Sequence, residues 1–252
     1  MQYSTFAAID IGSYDVILEI FEISKKQGIR SVDKICHRME LGKDTYTLGK
    51  IRPEMEEELC RVLADFVRIM EGYRVDAYRA MASSAISEAA NSLYVLGKIR
   101  QLTGLSVTVL SNSEQRFLGY KALAAMEDNF NKVIEKGTAI LDLDGGSFQI
   151  SLFDKDALVT TQNIRMGSLR VRERLAGIQS ETEHYEEMVE ELIWNEVSSF
   201  KKMYLKDRKI ENIMLIGDVF TDSVYQNIEE KTTKIISREN FNTWYEKIIR
   251  QS

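Results

Sequence analysis

The sequence predicts an α/β chain of two similar lobes facing one phosphate site. Three observations support this: strand-type and helix-type segments alternate, a strand–loop–strand unit occurs twice, and a polar stretch from Asp128 to Gly137 separates the two copies. The copies are Phe6 to Leu18, FAAIDIGSYDVIL, and Thr138 to Phe153, TAILDLDGGSFQISLF. In each, an apolar run reaches an aspartate (Asp10, Asp142), then a glycine and a serine (Gly12-Ser13, Gly146-Ser147), and an apolar run resumes. Apolar runs around a Gly/Asp/Ser turn read as strand, tight loop, strand. Glycine lets a backbone approach a ligand closely, and successive N–H groups in such a turn make a concave anion site. An aspartate ending the strand suits a metal-bound water, because hard cations prefer oxygen. The lobes are expected at residues 1–130 and 131–252.

In the first lobe, Val16 to Ile23 and Ile29 to Met39 continue an antiparallel opening around the turn Lys25-Lys26-Gln27-Gly28. The segment Glu40-Leu41-Gly42-Lys43 follows, then an expected polar loop to Arg52, and Pro53 then suits a first helical turn. Met55, Leu59, Val62, Leu63, Phe66 and Met70 recur at helical spacing, and Gly72 is the stop. Asp76 to Ala82 reads as a strand, Ala85 to Gln101 as one helix, and Ser106 to Leu110 as a strand. Ser111-Asn112-Ser113 offers caps to a helix starting near Glu114. In the second lobe, strands are expected at Thr138–Leu143, Phe148–Phe153, Leu158–Ile164, Asn212–Ile216 and Thr232–Ile236. Helices are expected at Arg170–Leu175, Glu181–Met203 and Arg238–Ile249.

Composition limits the function classes. The chain has 252 residues, 44% hydrophobic and 29% charged, which fits a globular protein with a real core. A net charge of −6 argues against a broad duplex nucleic-acid footprint but leaves room for a small anion held by backbone N–H groups. Cys36 and Cys60 show no metal spacing and read as buried free thiols, which fits a reducing compartment. No apolar run reaches the roughly 20 residues of a spanning helix, and no leader pattern opens the chain, so no membrane partner is expected and the cytoplasm is the default. His37 and His184 stand too far from other ligand types to suggest a metal site or a triad.

Several segments together resemble the exopolyphosphatase/guanosine pentaphosphate phosphatase family, within the superfamily of sugar kinases, actin and related chaperones. AAIDIGS resembles its first phosphate motif and DLDGGSFQISLF its second. RAMASSAISEAAN resembles its strand-to-helix segment, VLSNSEQRFLGY its I-S-G-x-E-E-A segment, and MGSLRVRERL the segment after the second motif. The resemblance runs from about residue 5 to residue 217. It implies a two-lobed actin-like (ribonuclease H-like) α/β fold, with a duplicated mixed sheet and flanking helices. It also implies metal-assisted attack of water on the terminal phosphate of polyphosphate or a guanosine polyphosphate. Mg²⁺, or Mn²⁺, would be positioned by Asp10 and Asp142. Gly12, Ser13, Gly145, Gly146 and Ser147 would hold phosphate, and Glu114 would orient or deprotonate the water.

The departures from the family pattern cluster at the same place. Tyr14-Asp15 follows the first glycine-serine, Asp144 stands for a glycine of the second loop, and Phe148-Gln149 replaces Thr-Glu. Ser87 replaces an arginine and Gln115 a second acid. Asp144 reads either as a new metal ligand or as a loop-closing hydrogen-bond acceptor, the second being favoured. Arg165 and Arg170 read as solvated charges rather than as substitutes for the missing arginine. A non-catalytic polyphosphate or nucleotide sensor, or an interaction module, is the alternative function. A homodimer is the open possibility for assembly.

Overall fold

The computed structural model describes residues 3–26, 28–126, 130–179, 184–206, 208–217 and 237–251. β1 (Ser4–Ile11), β2 (Asp15–Ser24) and β3 (Gly28–Arg38) form an antiparallel meander. β4 (Ala77–Ala82) and β5 (Val107–Val109) add in parallel beyond β1, so the order is β3-β2-β1-β4-β5. The second sheet repeats this with β6 (Thr138–Leu143), β7 (Phe148–Asp154), β8 (Ala157–Ile164) and β9 (Asn212–Ile216), in the order β8-β7-β6-β9. The first three of these strands are again antiparallel neighbours, and β9 runs parallel to β6. The duplicated mixed sheet is therefore present. The expected strand at Thr232–Ile236 lies outside the described residues.

Alternation along β1 and β2 buries Ile9, Ile11, Leu18 and Ile20 on one face. Against that face pack α2 (Pro53–Gly72), through Leu59, Leu63 and Phe66, and α4 (Ser92–Thr103), through Val95 and Ile99. Leu63 is fully enclosed. Leu63→Ala is expected to cost about 3 kcal/mol, read as a lower urea midpoint with an unchanged slope.

α5 (Asn112–Met126) lies before the expected lobe boundary, yet its Tyr120 and Leu123 pack on the second sheet. They join Phe130 and Ile134 of α6 (Phe130–Glu135), together with Ile140 and Phe153. The Tyr120 ring stands edge-on to Phe153 at 5.3 Å, and the Arg116 guanidinium donates to Thr161 Oγ1 at 3.1 Å. On the opposite face, Phe200 at the end of α8 (Tyr185–Phe200) packs with Ala139, Ile150 and Leu152. A π-helical turn, Lys201–Leu205, then leads toward β9. α7 (Ser168–Gln179) runs longer than predicted at both ends, and α9 (Arg238–Gln251) closes the described chain.

Three local expectations are corrected. The segment after Glu40 is a helix, α1 (Leu41–Leu48), entered through Glu40 in a left-handed conformation, φ 50°. Its sequence, LGKDTYTL, carries no apolar period, so tertiary partners define it. The helix expected over Ala85–Gln101 is broken into α3 (Ser84–Ser87) and α4. Asn91 sits at the break: its amide donates to Ile51 O and Glu56 Oε1, both at 2.8 Å, while its Oδ1 accepts from Ile51 N–H at 3.0 Å. Finally, Cys60 is buried as expected, but Cys36 is exposed on the edge strand β3, and neither forms a disulfide. Among the described residues no helix is long and apolar enough to cross a membrane.

Candidate active site between the lobes

β1 and β6 are equivalent central strands, and each presents an aspartate one residue before its end. Asp10 is in register with Ile17 of β2 and Met81 of β4; Asp142 is in register with Gln149 of β7 and Ile216 of β9. Just beyond, Ser83 follows β4 and Gly217 follows β9. These strand ends meet at a cavity of about 140 Å³, lined by Asp10, Gly12, Asp15 and Ser83 from one lobe and by Asp142, Asp144 and Gly217 from the other, with Gln115 of α5 between them. Gly217 has φ 122°, and a Cβ there would run into the Leu143 carbonyl. This position therefore needs glycine.

The cavity is acidic, and none of its lining side chains is cationic. Asp15 and Asp144 each have a local hydrogen-bond partner. Asp15, an acid beside the first loop, is answered from β3 by Arg38, whose Nε and Nη2 lie 3.0 and 3.2 Å from the two carboxylate oxygens. Asp144 is half-buried; desolvation pushes its carboxyl above the ordinary range, against the pull of the Gly145 N–H. Its Oδ1 accepts that N–H at 2.7 Å, and Gln115 Nε2 lies 3.5 Å from Oδ2. The loop-closing role expected for Asp144 is what the geometry shows.

Of the residues singled out in the sequence, Asp10, Gly12 and Asp142 line the cavity. Ser13, Gly145, Gly146 and Ser147 do not; the two loops pack against each other there. Ser13 Oγ is 2.7 Å from Tyr46 OH, which is 2.9 Å from Ser84 Oγ. A Cβ on Gly145 would lie 2.9 Å from Ser13 Cβ and from the Tyr14 ring, and one on Gly146 would collide with Tyr46 OH and Ser84 Oγ. The glycines permit close lobe-to-lobe packing.

Glu114 also stands elsewhere. Its carboxylate accepts from Ser111 N–H at 2.9 Å and Ser111 Oγ at 2.7 Å, closing a capping box on the exposed start of α5. These bonds hold its carboxyl below the usual range. Gln115, the next residue, is the one that faces the cavity. Glu114→Ala is therefore expected to lower the melting temperature slightly while leaving any turnover within a factor of about two, because only a helix cap is lost.

Several buried or interlobe groups were given no such place by the sequence. Gln149 is 8% exposed, and its Oε1 has no hydrogen-bond partner among the described residues. It lies between Asp142 and Asn163 in the strand register, and Asn163 Oδ1 is likewise buried and unpartnered. Three side-chain oxygens thus share one face in a row across β6, β7 and β8. Only the family's usual glutamate at position 149 could have pointed there. Arg170 is not a solvated charge: its guanidinium stacks 3.9 Å above the Tyr46 ring, its Nε donates to Gly146 O at 2.8 Å, and its Nη2 lies 3.0 and 2.9 Å from the Glu88 oxygens. Arg165 pairs with the same Glu88 from a more exposed position. Two residues along α7, Arg172 donates to Glu40 at 3.0 and 2.6 Å, holding that carboxyl below its usual range. α7 of one lobe is therefore latched to two acids of the other.

The family model described as the Ppx/GppA phosphatase family matches residues 19–252. The chain is 21% identical over 238 residues to the bifunctional 3-dehydroquinate synthase/phosphatase of Fusobacterium nucleatum, covering 89% of this chain and 34% of that protein. It is 25% identical over 144 residues to exopolyphosphatase 1 of Mycobacterium leprae, covering 57% of this chain and 41% of that protein. The chain thus spans well under half the length of these curated relatives. Among solved structures, an exopolyphosphatase from Cytophaga hutchinsonii superposes with a TM-score of 0.80 at 18% identity, over 98% of this chain and 80% of that one. The Ppx/GppA member from Aquifex aeolicus gives 0.72 at 21% identity, over 98% and 79%. The two-lobed actin-like fold accordingly extends over nearly the whole chain.

Proposed function

The chain belongs to the Ppx/GppA phosphatase family, and from that membership we propose a hydrolase that removes the terminal phosphate of inorganic polyphosphate or a guanosine polyphosphate with Mg²⁺ or Mn²⁺. One observation carries this proposal: Asp10 and Asp142, from equivalent strand ends of opposite lobes, line the same cavity. An acidic cavity without a lining cation repels a bare phosphate chain. It suits a phosphate that arrives with a divalent ion.

The donor set fits such an ion. Among the described residues, no group of three or more His, Cys, Asp or Glu stands close enough to hold a metal by itself. A pair of carboxylates is nonetheless what Mg²⁺ takes when water and substrate phosphate complete its octahedron. Asp10 and Asp142 would hold it, with Gln149 Oε1 as a buried acceptor beside Asp142. When bound, the ion would spread the charge that develops on the transferred phosphoryl oxygens. Asp15 is paired to Arg38, and desolvation raises the Asp144 carboxyl above its ordinary range, while Asp10 and Asp142 face the ion's place from the two lobes. Gln115, anchored through one amide hydrogen to Asp144, presents an amide that can orient an attacking water without taking its proton.

A second function, a phosphate or nucleotide sensor without turnover, is favoured by one feature: α5 offers the cavity an amide at position 115, not a carboxylate. The test is phosphate release from short-chain polyphosphate and from guanosine pentaphosphate with Mg²⁺ or Mn²⁺, before and after chelation. Release that stops on chelation and in Gln115→Ala supports hydrolysis. Binding of either ligand without release assigns the cleft to sensing.

A further inference from the structure

We propose that Arg165 and Arg170 form a second phosphate position beside the cavity, which takes the inner units of a phosphate chain and which the Glu88 carboxylate occupies here. The proposal deepens the hydrolase reading and takes the class of ligand from it. The two interlobe ion-pair clusters are built differently. At one, Arg172 stands between two acids: Nη1 and Nη2 donate to Glu40, and Nε and Nη2 to Glu173. At the other, two arginines share one acid. Arg170 Nη2 donates to both Glu88 oxygens, and Arg165 Nη2 donates to Glu88 Oε2. The first cluster has committed its guanidinium; the second carries an excess of positive charge.

The second cluster also has donors to spare. A guanidinium has five N–H groups. Arg170 uses Nε on Gly146 O and Nη2 on Glu88, and Arg165 uses Nη2 alone; among the described residues, Arg170 Nη1 and Arg165 Nε and Nη1 have no hydrogen-bond partner. The Arg170 side chain is 19% exposed and held against the Tyr46 ring, whereas that of Arg165 is 66% exposed and open to solvent. Each inner phosphate of a chain carries a negative charge and a pair of unbridged oxygens, as a carboxylate does, and successive units repeat them. Such a chain can exchange for Glu88 and engage the idle donors with its neighbouring units, in the forked geometry that arginine offers phosphate. The place suits it. Glu88 ends the single turn of α3 that begins after Ser83, and the Arg170 N–H and Nε donate to the carbonyls of Gly145 and Gly146, just past Asp144. Ser83 and Asp144 both line the cavity.

The test is binding of inorganic tripolyphosphate to the full chain by isothermal titration calorimetry, in EDTA at fixed ionic strength. Without metal the acidic cavity repels the chain, so the heat reports on the arginines. Arg165→Gln, at an exposed position, should weaken binding about tenfold, the scale of one charge-assisted hydrogen bond. Glu88→Gln should tighten it by a similar factor, because the resident competitor loses its charge. The double variant Glu88→Gln/Arg165→Gln separates this effect from a mere opening of the lobes: the gain should vanish with the arginine. Arg100→Gln, at an exposed cation on α4, should bind like wild type. No binding by wild type and Glu88→Gln, wild-type affinity in Arg165→Gln, no gain in Glu88→Gln, or a gain that persists in the double variant would each overturn the proposal. The expected binding pattern without phosphate release when metal is restored would overturn hydrolysis and leave this site standing.

Discussion

Asp142→Asn is expected to lower metal-dependent phosphate release by at least about 100-fold, the scale seen when one group stabilising transition-state charge is removed. The substitution keeps the side chain's size and hydrogen-bonding shape and removes one charge at the end of β6. The fold should survive, because the strand register with Gln149 and Ile216 is made by the backbone. Asp10→Asn should behave alike, since β1 presents Asp10 as β6 presents Asp142. Manganese titration followed by electron paramagnetic resonance supplies a readout independent of turnover: both variants should bind Mn²⁺ more weakly than wild type. Wild-type Mn²⁺ affinity together with wild-type release would remove this cavity from the chemistry.

Gly167→Ala is expected to damage stability strongly for so small a substitution. A Cβ at position 167 would collide with the backbone of the second loop, at Asp144 O, Ser147 N and the Gly145 carbonyl carbon. Backbone atoms cannot swing aside as a side-chain tip can. The strain should cost about 3 kcal/mol and lower the melting temperature by roughly 5–10 °C in a chain of this size. Gly119→Ala on α5 is the control. Its Cβ meets nothing within 4 Å, and alanine favours the helix by up to about 1 kcal/mol. If the two variants melt together, the second loop is looser than its packing implies.

The fold was legible where local pattern and tertiary context agree. β1, β2, β6 and β7 announce themselves by apolar runs around Gly/Ser turns, and α2 by an unbroken helical period. α1 was hidden because Glu40 enters it in a conformation rare for a non-glycine residue, and because Arg172, from far along the chain, holds that glutamate. The site was legible only in part for the same reason. Asp10, Gly12 and Asp142 sit on strand ends that the pattern locates. Tyr46, Arg170 and Gln149 matter through the partner each meets across the lobes or across the sheet, which no local pattern records. Glu114 and Gln115 show the limit most clearly. Adjacent on a first helical turn, they point in different directions, and one residue of phase decides which is a cap and which faces the cavity.

The crossing of α5 onto the second sheet has a consequence for how the chain is made. A ribosome delivers residues 1–110, with a complete five-stranded sheet and its own core, before any of the second sheet exists. α5 emerges next, and Tyr120 and Leu123 have no apolar surface to rest on until Ile140 and Phe153 follow. During that interval the nascent chain carries a sticky stripe beside a finished lobe, a target for a chaperone and a hazard without one. The helix that joins the lobes in the mature protein is thus the last part of the first half to find its place.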